Sequence, residues 1–281
     1  MKKIDGVYQA KDLTEEIWSL YKGETETTHS CGFKSIDKNF KILKPSFNLI
    51  TGCPNSGKSS LTFEIALRTS RNLGFKYMIF SPESSLAVNL KRLIEKFVKK
   101  PFDIIFKKRA NETEVLKAIE WIHEHFYFLD LKGDLPSIDW ILDKAKKIHE
   151  QVKLDGLIID PYNEISPDRQ IREDEHISVL ISKIKRFNRD TDTFTFMVVH
   201  PTKQIRDFEG KFKMTSLMDC SGSANWNNKC DAGIIVTRDY ERHQTEVRIA
   251  KIREHAVQGR IGCCYVRWND STKCFEDLNI M

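Results

Sequence analysis

Short apolar runs and longer amphipathic stretches alternate along the chain from residue 47 onward. The apolar runs have the length of strands and read, in order, FNLIT, KYMIFS, FYFLDL, DGLIID, FTFMVVH and AGIIVT. The stretches between the first five runs have helical spacing and cover residues 58–73, 85–99, 112–124, 137–150 and 174–189. Strands that alternate with helices predict an α/β fold with a doubly wound, mostly parallel sheet.

The pattern changes after residue 236. Three strand-like runs follow one another without an intervening helix, TEVRIAKIRE, RIGCCYVRWN and CFEDL, and the last two are joined by a turn at NDSTK. Consecutive strands joined by short connections pair antiparallel. The sequence therefore predicts a C-terminal antiparallel extension of the same sheet, with no independent second domain.

An N-terminal helix is predicted over residues 12–21. Leu13, Ile17 and Leu20 share one face, and Asp12 and Glu15 have capping-box spacing. A tether rich in Gly, Thr and Ser follows, so we divide the chain into a linker helix with its tether (1–30) and one large domain (31–281). Because so short a helix is marginal alone, it must dock, either on its own domain or on a neighbouring subunit.

Composition narrows the class of protein. The chain has 281 residues, 40% hydrophobic and 30% charged, which suits a folded domain, and its net charge of +5 is compatible with a nucleic-acid partner without requiring one. Seven cysteines with no C-x-x-C spacing argue against a zinc ribbon and a disulfide framework, and favour a reducing compartment. Since there is no signal peptide and no apolar run near 18 residues, we expect neither export nor a membrane span.

The stretch TGCPNSGKSS follows the first predicted strand and opens the first predicted helix. Its Gly52-x-x-x-x-Gly57-Lys58-Ser59 spacing is that of a P-loop. In such a loop the backbone amides face nucleotide phosphates, Lys58 reaches the β and γ phosphates, and the Ser59 hydroxyl ligates Mg²⁺. The predicted cofactors are therefore ATP and Mg²⁺, and the candidate nucleotide contacts are Gly52, Cys53, Pro54, Asn55, Ser56, Gly57, Lys58, Ser59 and Ser60.

Polar residues end three of the other predicted parallel strands. Ligands of open α/β sheets bind beyond the carboxyl ends of the strands, so these side chains should converge beside the P-loop. Asp160 after GLII suits a Mg²⁺ carboxylate, and His200 suits a group that touches the γ phosphate. Glu83 is the favoured general base, with Glu164 in DPYNE as its rival.

A long irregular segment follows His200. Its first half, PTKQIRDFEGKFKMTS, offers the cations Lys203, Arg206, Lys211 and Lys213. Its second half, LMDCSGSANWNNKCD, offers the small residues Ser221, Gly222, Ser223 and Asn225, with the aromatic Trp226. Amides, hydroxyls, cations and an aromatic side chain suit contact with single-stranded DNA without sequence readout. The alternative is a surface lid with solvated charges.

The ordered motifs TGCPNSGKS, FSPE, LIIDPYNE, VVHPTK, SGSANW and KIRE resemble those of the DnaB-like hexameric replicative helicases, in particular the Twinkle-like and phage primase-helicases. The resemblance covers roughly residues 12–281. It implies a RecA-like P-loop NTPase core, ATP bound between subunits of a hexameric ring, and 5′→3′ movement on single-stranded DNA. It departs from the family at KPSFNLI, where the family usually has Pro-Gly before the P-loop strand.

The resemblance also implies roles for individual residues. Glu83 would be the catalytic glutamate, Asp160 the Mg²⁺ carboxylate and His200 the γ-phosphate sensor. Ser221 to Asn225 would line the central channel. Lys251 and Arg253 would reach into the ATP site of the adjacent subunit, a role that the residues alone would not suggest, since basic side chains alternating on a strand usually form a solvated face. The helix at 12–21 would grip a neighbour.

Other functions share this core. A RecA-type recombinase would form open filaments on DNA, a P-loop kinase would need a small acceptor and no residues from a neighbour, and an ATP-dependent scaffold would need no base. Residues 1–11 contain no candidate primase, zinc-binding module or helical collar, so we expect either that those functions lie on another polypeptide, such as a separate primase, or that the sequence is an excised domain. We expect the chain in the cytoplasm of a bacterial or phage-infected cell, or in an organelle matrix or nucleoid.

Overall fold

The computed structural model describes residues 5–24, 28–131, 133, 135–167, 170–202, 216–222 and 224–278. Within these residues the helices, numbered in chain order, are α1 (Thr14–Lys22), α2 (Lys34–Asp37), α3 (Lys58–Leu73), α4 (Leu86–Val98), α5 (Glu112–His125), α6 (Ile138–Val152), α7 (Glu173–Thr191) and α8 (Asn225–Lys229). The strands are β1 (Thr28–His29), β2 (Ile42–Leu43), β3 (Ser46–Thr51), β4 (Tyr77–Phe80), β5 (Phe126–Phe128), β6 (Gly156–Ile159), β7 (Phe194–Val198), β8 (Ala232–Asp239), β9 (Gln244–Ile252), β10 (Gly262–Asn269) and β11 (Cys274–Asp277).

One large sheet carries the fold, in the order β11-β10-β9-β8-β3-β7-β6-β4-β5. The strands from β8 to β5 in this order are parallel, and β9, β10 and β11 continue the sheet antiparallel from β8. β1 and β2 form a separate antiparallel pair. The predicted fold class is therefore confirmed, including the C-terminal antiparallel extension.

Two apolar layers cover the faces of the sheet. Along β3, Ile50 packs into the layer formed with α2, α3, α4 and α5, whereas its neighbour Leu49 packs into the layer formed with α6, α7 and α8. Successive side chains of a strand point to opposite faces, so an apolar run is what a strand buried on both sides requires. This is why the sequence shows unbroken apolar runs before the P-loop and the other strand-end residues.

The N-terminal helix stands apart from these layers. α1 begins at Thr14, and the carboxylate of Asp12 caps a preceding 3₁₀ turn by accepting a hydrogen bond from the Gln9 amide at 2.8 Å. The predicted start at Asp12 was wrong because this local side-chain contact competes with the helix. No residue of α1 is buried, and Ile17 and Leu20 are more than half exposed. Among the described helices, each is too short or too polar to cross a bilayer.

Candidate nucleotide site

The P-loop connects β3 to α3 at the carboxyl edge of the parallel strands. Gly52 has φ of +147°, and a Cβ at this position would lie 2.0 Å from the backbone oxygen of Val236. Gly57, with φ of +93°, precedes the first residue of α3. Both glycines are thus required by backbone conformation or close approach. The loop places the free N–H groups of the α3 N-terminus where an anion binds favourably.

Lys58 is folded into this loop. Its ammonium donates hydrogen bonds to the backbone oxygens of Gly52 and Cys53, both at 2.9 Å, and the residue is 5% exposed. Burial lowers the pKa of Lys58, and the negative charge of Asp160 partly opposes that shift. The ammonium therefore lies at the mouth of the loop and is hydrogen-bonded to two neutral backbone oxygens. A charged phosphate oxygen can take their place as its partner.

Asp160 follows β6 and is 2% exposed. Burial raises its pKa to about 6, while a hydrogen bond with the Ser59 hydroxyl acts in the opposite direction. Its Oδ2 atom is buried and has no hydrogen-bond partner among the described residues. A hydroxyl beside a carboxylate with a free oxygen is an oxygen donor set of the kind Mg²⁺ prefers, so Ser59 and Asp160 fit the predicted metal.

Glu83 and His200 face each other across the same edge. Glu83 Oε1 lies 3.5 Å from His200 Nε2, and the side chains are 52% and 32% exposed. Burial lowers the pKa of His200, the positive charge of Lys58 lowers it further, and Glu83 opposes both. The imidazole is therefore mainly neutral at pH 7 and can donate one N–H to a phosphate. The rival base Glu164 lies in a 3₁₀ turn and is not among the described residues that line the cavity.

Lys58, Ser59, Glu83 and His200 line one cavity of about 680 Å³, whose wall also includes residues that the sequence analysis missed. Arg92 of α4 enters it from the layer of α3 and α4, and Arg238 and Tyr240 enter it from the end of β8. Trp268 of β10 closes another part of the wall. Tyr240 follows the end of β8, so the search for polar residues at strand ends would have found it if it had included β8. Its hydroxyl donates a hydrogen bond to the Asn55 backbone oxygen at 3.2 Å.

Lys251 and Arg253 lie at the opposite edge of the sheet. Lys251 pairs with Gly233 at the start of β8, and β8 runs parallel to the P-loop strand. Both side chains cap α8 by donating to its last backbone oxygens, from Lys251 to Asn227 and from Arg253 to Lys229. Arg253 Nε is also 3.0 Å from Asp231 Oδ1, and its side chain stays 44% exposed. Neither cation is among the described residues that line the nucleotide cavity of its own chain.

The segment after His200 is described only in part. Lys203, Arg206, Lys211, Lys213 and Ser223, predicted to bind DNA, lie outside the described residues. The Ser221 amide donates to the His200 backbone oxygen at 3.0 Å, so the small-residue turn is joined directly to the strand end. Gly222 adopts φ of +89°, and Asn225 donates to the Asp174 backbone oxygen at 2.9 Å.

Trp226 does not have the exposed position that we expected for a DNA contact. It is fully buried, it stacks on Phe47, and its ring nitrogen donates to the Ser221 backbone oxygen at 2.8 Å. An aromatic side chain in an irregular segment looks available in sequence, but the apolar layer beside α7 takes it. Its function here is to anchor the small-residue turn that begins at Ser221.

Comparisons with known proteins agree with this architecture. Residues 29–277 match the model of the DnaB-like helicase C-terminal domain. The chain is 33% identical over 292 residues to the "Twinkle homolog protein, chloroplastic/mitochondrial" of Arabidopsis thaliana, covering 98% of this chain and 40% of that protein. It thus spans about two fifths of the length of that curated relative.

Two solved structures share the fold at 20% sequence identity. One, an ATPase domain, matches with a TM-score of 0.79 over 98% of this chain and 100% of that one. The other, a DnaB-like replicative helicase solved in a study of its interactions with primase, matches with a TM-score of 0.76 over 99% of this chain and 69% of that one. With most of its length matched by one family model, the chain belongs to the DnaB-like helicase C-terminal domain family, which confirms the resemblance drawn from its motifs.

Proposed function

We propose that this chain is the ATP-driven motor of a DNA helicase that moves 5′→3′ along single-stranded DNA as a ring. The observation that carries this proposal is that Lys58, Ser59, Glu83 and His200 line one cavity at the carboxyl edge of the sheet, with the buried Asp160 hydrogen-bonded to Ser59 behind it. A phosphate cradle, a metal carboxylate, a carboxylate base and a phosphate-facing imidazole are the parts that hydrolysis of a nucleoside triphosphate needs.

Each residue has a defined task in this proposal. Residues 52–60 hold the triphosphate, and Lys58 moves its ammonium from the loop carbonyls to the β and γ phosphate oxygens. Ser59 and Asp160 would hold Mg²⁺, which when bound would supply positive charge to the phosphates. Glu83 accepts the proton of the attacking water, and neutral His200 donates its N–H to the γ phosphate. Tyr240 and Trp268 supply aromatic surface for the nucleobase.

The position of the two basic residues supports a ring. Lys251 and Arg253 lie toward the start of β8 and do not line the nucleotide cavity of their own chain among the described residues. In a head-to-tail assembly this side of the sheet faces the carboxyl edge of the next subunit. The pair then completes a neighbour's ATP site, and Asp231 presents the Arg253 guanidinium from behind.

The exposed apolar face of α1 also supports assembly. Ile17, Leu20 and Tyr21 stay exposed outside the two core layers, and Ile104 and Leu116 expose a second apolar surface beside a cavity of about 870 Å³ between the end of α4 and α5. Two uncovered apolar surfaces on one chain can cover each other between copies of that chain. We therefore propose that α1 docks on a neighbouring subunit, and the domain division at residue 30 stays a prediction.

Single-stranded DNA is the proposed polymer, with the segment from residue 201 to Asn225 as its contact. The Ser221–His200 backbone hydrogen bond gives the nucleotide site a direct mechanical connection to that segment. A separate primase is a proposed partner, since one structural neighbour was solved with attention to its interactions with primase. The name of the plant relative includes two organelles, the chloroplast and the mitochondrion. We propose an organelle matrix, or the cytoplasm of a bacterial or phage-infected cell, as the location of this chain.

The proposal is tested by the ATPase rate with and without single-stranded DNA, measured alongside the assembled mass. We expect stimulation by single strands of any sequence and one closed assembly of fixed mass. A mass that grows with DNA length would identify a filament-forming recombinase instead. Turnover that ignores DNA and requires a small acceptor would identify a kinase.

Coupling between ATP and DNA is expected to depend on His200. His200→Ala removes the imidazole but keeps the backbone oxygen that accepts from Ser221, so the segment stays attached. We expect basal hydrolysis to persist and stimulation by single-stranded DNA to be lost, as measured by the ratio of the two rates. Replacing the remote His149 of α6 is the matched control and should leave the ratio unchanged. An unchanged ratio in His200→Ala would remove the coupling function from this residue.

A further inference from the structure

A buried ion pair joins the nucleotide cavity to the C-terminal hairpin. The side chains of Lys96 on α4 and Glu64 on α3 are 3% and 2% exposed, and their charged atoms lie 3.4 Å apart. Desolvating two charges costs free energy that apolar side chains of similar volume would avoid. The pair therefore calls for an explanation beyond packing, and its hydrogen bonds supply one.

Every donor of the Lys96 ammonium has a partner. Besides Glu64 Oε2, it donates to the Ser60 hydroxyl at 2.8 Å and to the Lys273 backbone oxygen at 3.1 Å. It also lies 4.7 Å from the centre of the Trp268 ring, on the ring's face. Ser60 belongs to the P-loop region, and Lys273 and Trp268 belong to the hairpin of β10 and β11. One ammonium therefore contacts both walls of the cavity.

Glu64 holds this ammonium from behind. Its Oε1 accepts two hydrogen bonds from Arg68, at 2.8 and 3.1 Å, and its Oε2 also accepts from the Phe275 amide at 2.7 Å. Ser60 and Glu64 are four residues apart on α3, so both face α4. The carboxylate is fully hydrogen-bonded and fixes the hairpin, α3 and α4 relative to one another.

We infer that Lys96 is a positioning residue, which, held by Glu64, sets the Ser60 hydroxyl and the Trp268 ring in the wall of the cavity and so determines how the nucleoside end of ATP is bound. The inference rests on the proposed nucleotide site and adds Lys96, Glu64 and Trp268, which are not assigned to the phosphates; Ser60, at the end of the loop, is the residue that both sites share. Since Lys58, Ser59 and Asp160 hold the phosphates, losing Lys96 should affect the nucleoside and leave phosphate binding in place.

The test compares two ligands, Mg-ATP and inorganic tripolyphosphate with Mg²⁺, by equilibrium binding to the full chain. For Lys96→Met, which keeps the length of the side chain without its charge, we expect ATP to bind about tenfold more weakly, the effect of losing a hydrogen bond from a charged group. Tripolyphosphate should bind within about twofold of wild type on the same scale. Lys91→Met is the matched control on α4, since Lys91 pairs with Asp103 and does not line the cavity among the described residues.

Trp268→Leu makes the result independent of whether Lys96→Met folds. Trp268→Leu should show the same selective loss of ATP affinity. Combining it with Lys96→Met should weaken ATP binding little further, because both substitutions remove the same contact, that between Lys96 and Trp268. Equal weakening of both ligands would reduce Lys96 to a stabiliser of the fold, and unchanged ATP binding in either variant would overturn the inference. A wild-type protein that binds neither ligand would overturn the proposed nucleotide site, and this inference with it.

Discussion

Lys58→Ala is expected to reduce ATP hydrolysis by at least about 10²-fold, because it removes the P-loop cation that meets the β and γ phosphates. The protein should still fold. Among the described residues, the Lys58 ammonium donates to two backbone oxygens, those of Gly52 and Cys53, and its burial already lowers its pKa. Asp160→Ala should have the same kinetic effect, since it removes the carboxylate that, with Ser59, would hold Mg²⁺ and whose Oδ2 has no hydrogen-bond partner among the described residues.

Steady-state hydrolysis together with a thermal melt checks this result. Lys91→Ala is the control, because its ammonium pairs with Asp103 away from the cavity. We expect wild-type turnover in the control and an unchanged cooperative melt in all three variants. Wild-type turnover in Lys58→Ala would contradict the P-loop assignment, and an unfolded Lys58→Ala would show that the cation supports the loop rather than the chemistry.

The strands and helices of the parallel sheet could be predicted because their signals are local. α3 spans 58–73 as predicted, since it opens at the P-loop and ends where Gly74 adopts a left-handed conformation. Asp160 and His200, the polar residues after two predicted strands, lie at one edge of the sheet as expected. The parallel register leaves little freedom there, since Ile159 pairs with Met197 and Ile50 with Val198. In these elements local pattern and tertiary packing agree.

The misses concern residues whose environment depends on distant parts of the chain. The sequence places Trp226 in an irregular segment, yet in the structure it lies in α8, where Phe47 and Tyr162 enclose it. In sequence, Arg92 looks like an ordinary cation on the surface of a helix. Only the way α4 packs places its side chain in the wall of the cavity. Trp268 reaches the nucleotide site only because β10 folds back beside β9 and β11. No local spacing records these long-range placements.

The sequence also left Lys251 and Arg253 undecided between a solvated face and a function. Two observations change the physical question. Lys251 pairs with the start of β8 and Arg253 directly follows β9, so both lie toward the amino ends of the parallel strands. Arg253 is oriented by Asp231, whose other oxygen accepts from the Phe47 amide. Asp231 is buried, at 7% exposed, and a cation that only faced solvent would not need a buried carboxylate as its partner. The arrangement fixes the guanidinium at the surface where a second subunit would meet it.

Arg253→Ala is therefore expected to be nearly inactive, although its own P-loop is intact. Lost arginine fingers cost on the order of 10³-fold or more in related transfers. Lys58→Ala is inactive for the opposite reason, because it keeps the finger and lacks the loop cation. When the two proteins are mixed and subunits exchange, random assembly joins an intact loop to an intact finger at roughly a quarter of the interfaces of a head-to-tail ring.

ATPase activity should therefore reappear in the mixture, below roughly a quarter of the wild-type rate if hydrolysis around the ring is cooperative. The control mixture is Lys58→Ala with Asp160→Ala. Both lesions lie in the same loop-side site, so no interface in that mixture combines an intact loop with a neighbour's finger, and it should stay inactive. A finger that acts within its own subunit leaves both mixtures inactive, and a kinase that needs no finger leaves Arg253→Ala active on its own. Since labelled subunits report exchange independently, silence in the first mixture after exchange would refute action between subunits, and activity there alone would establish that each ATP site is built from two chains.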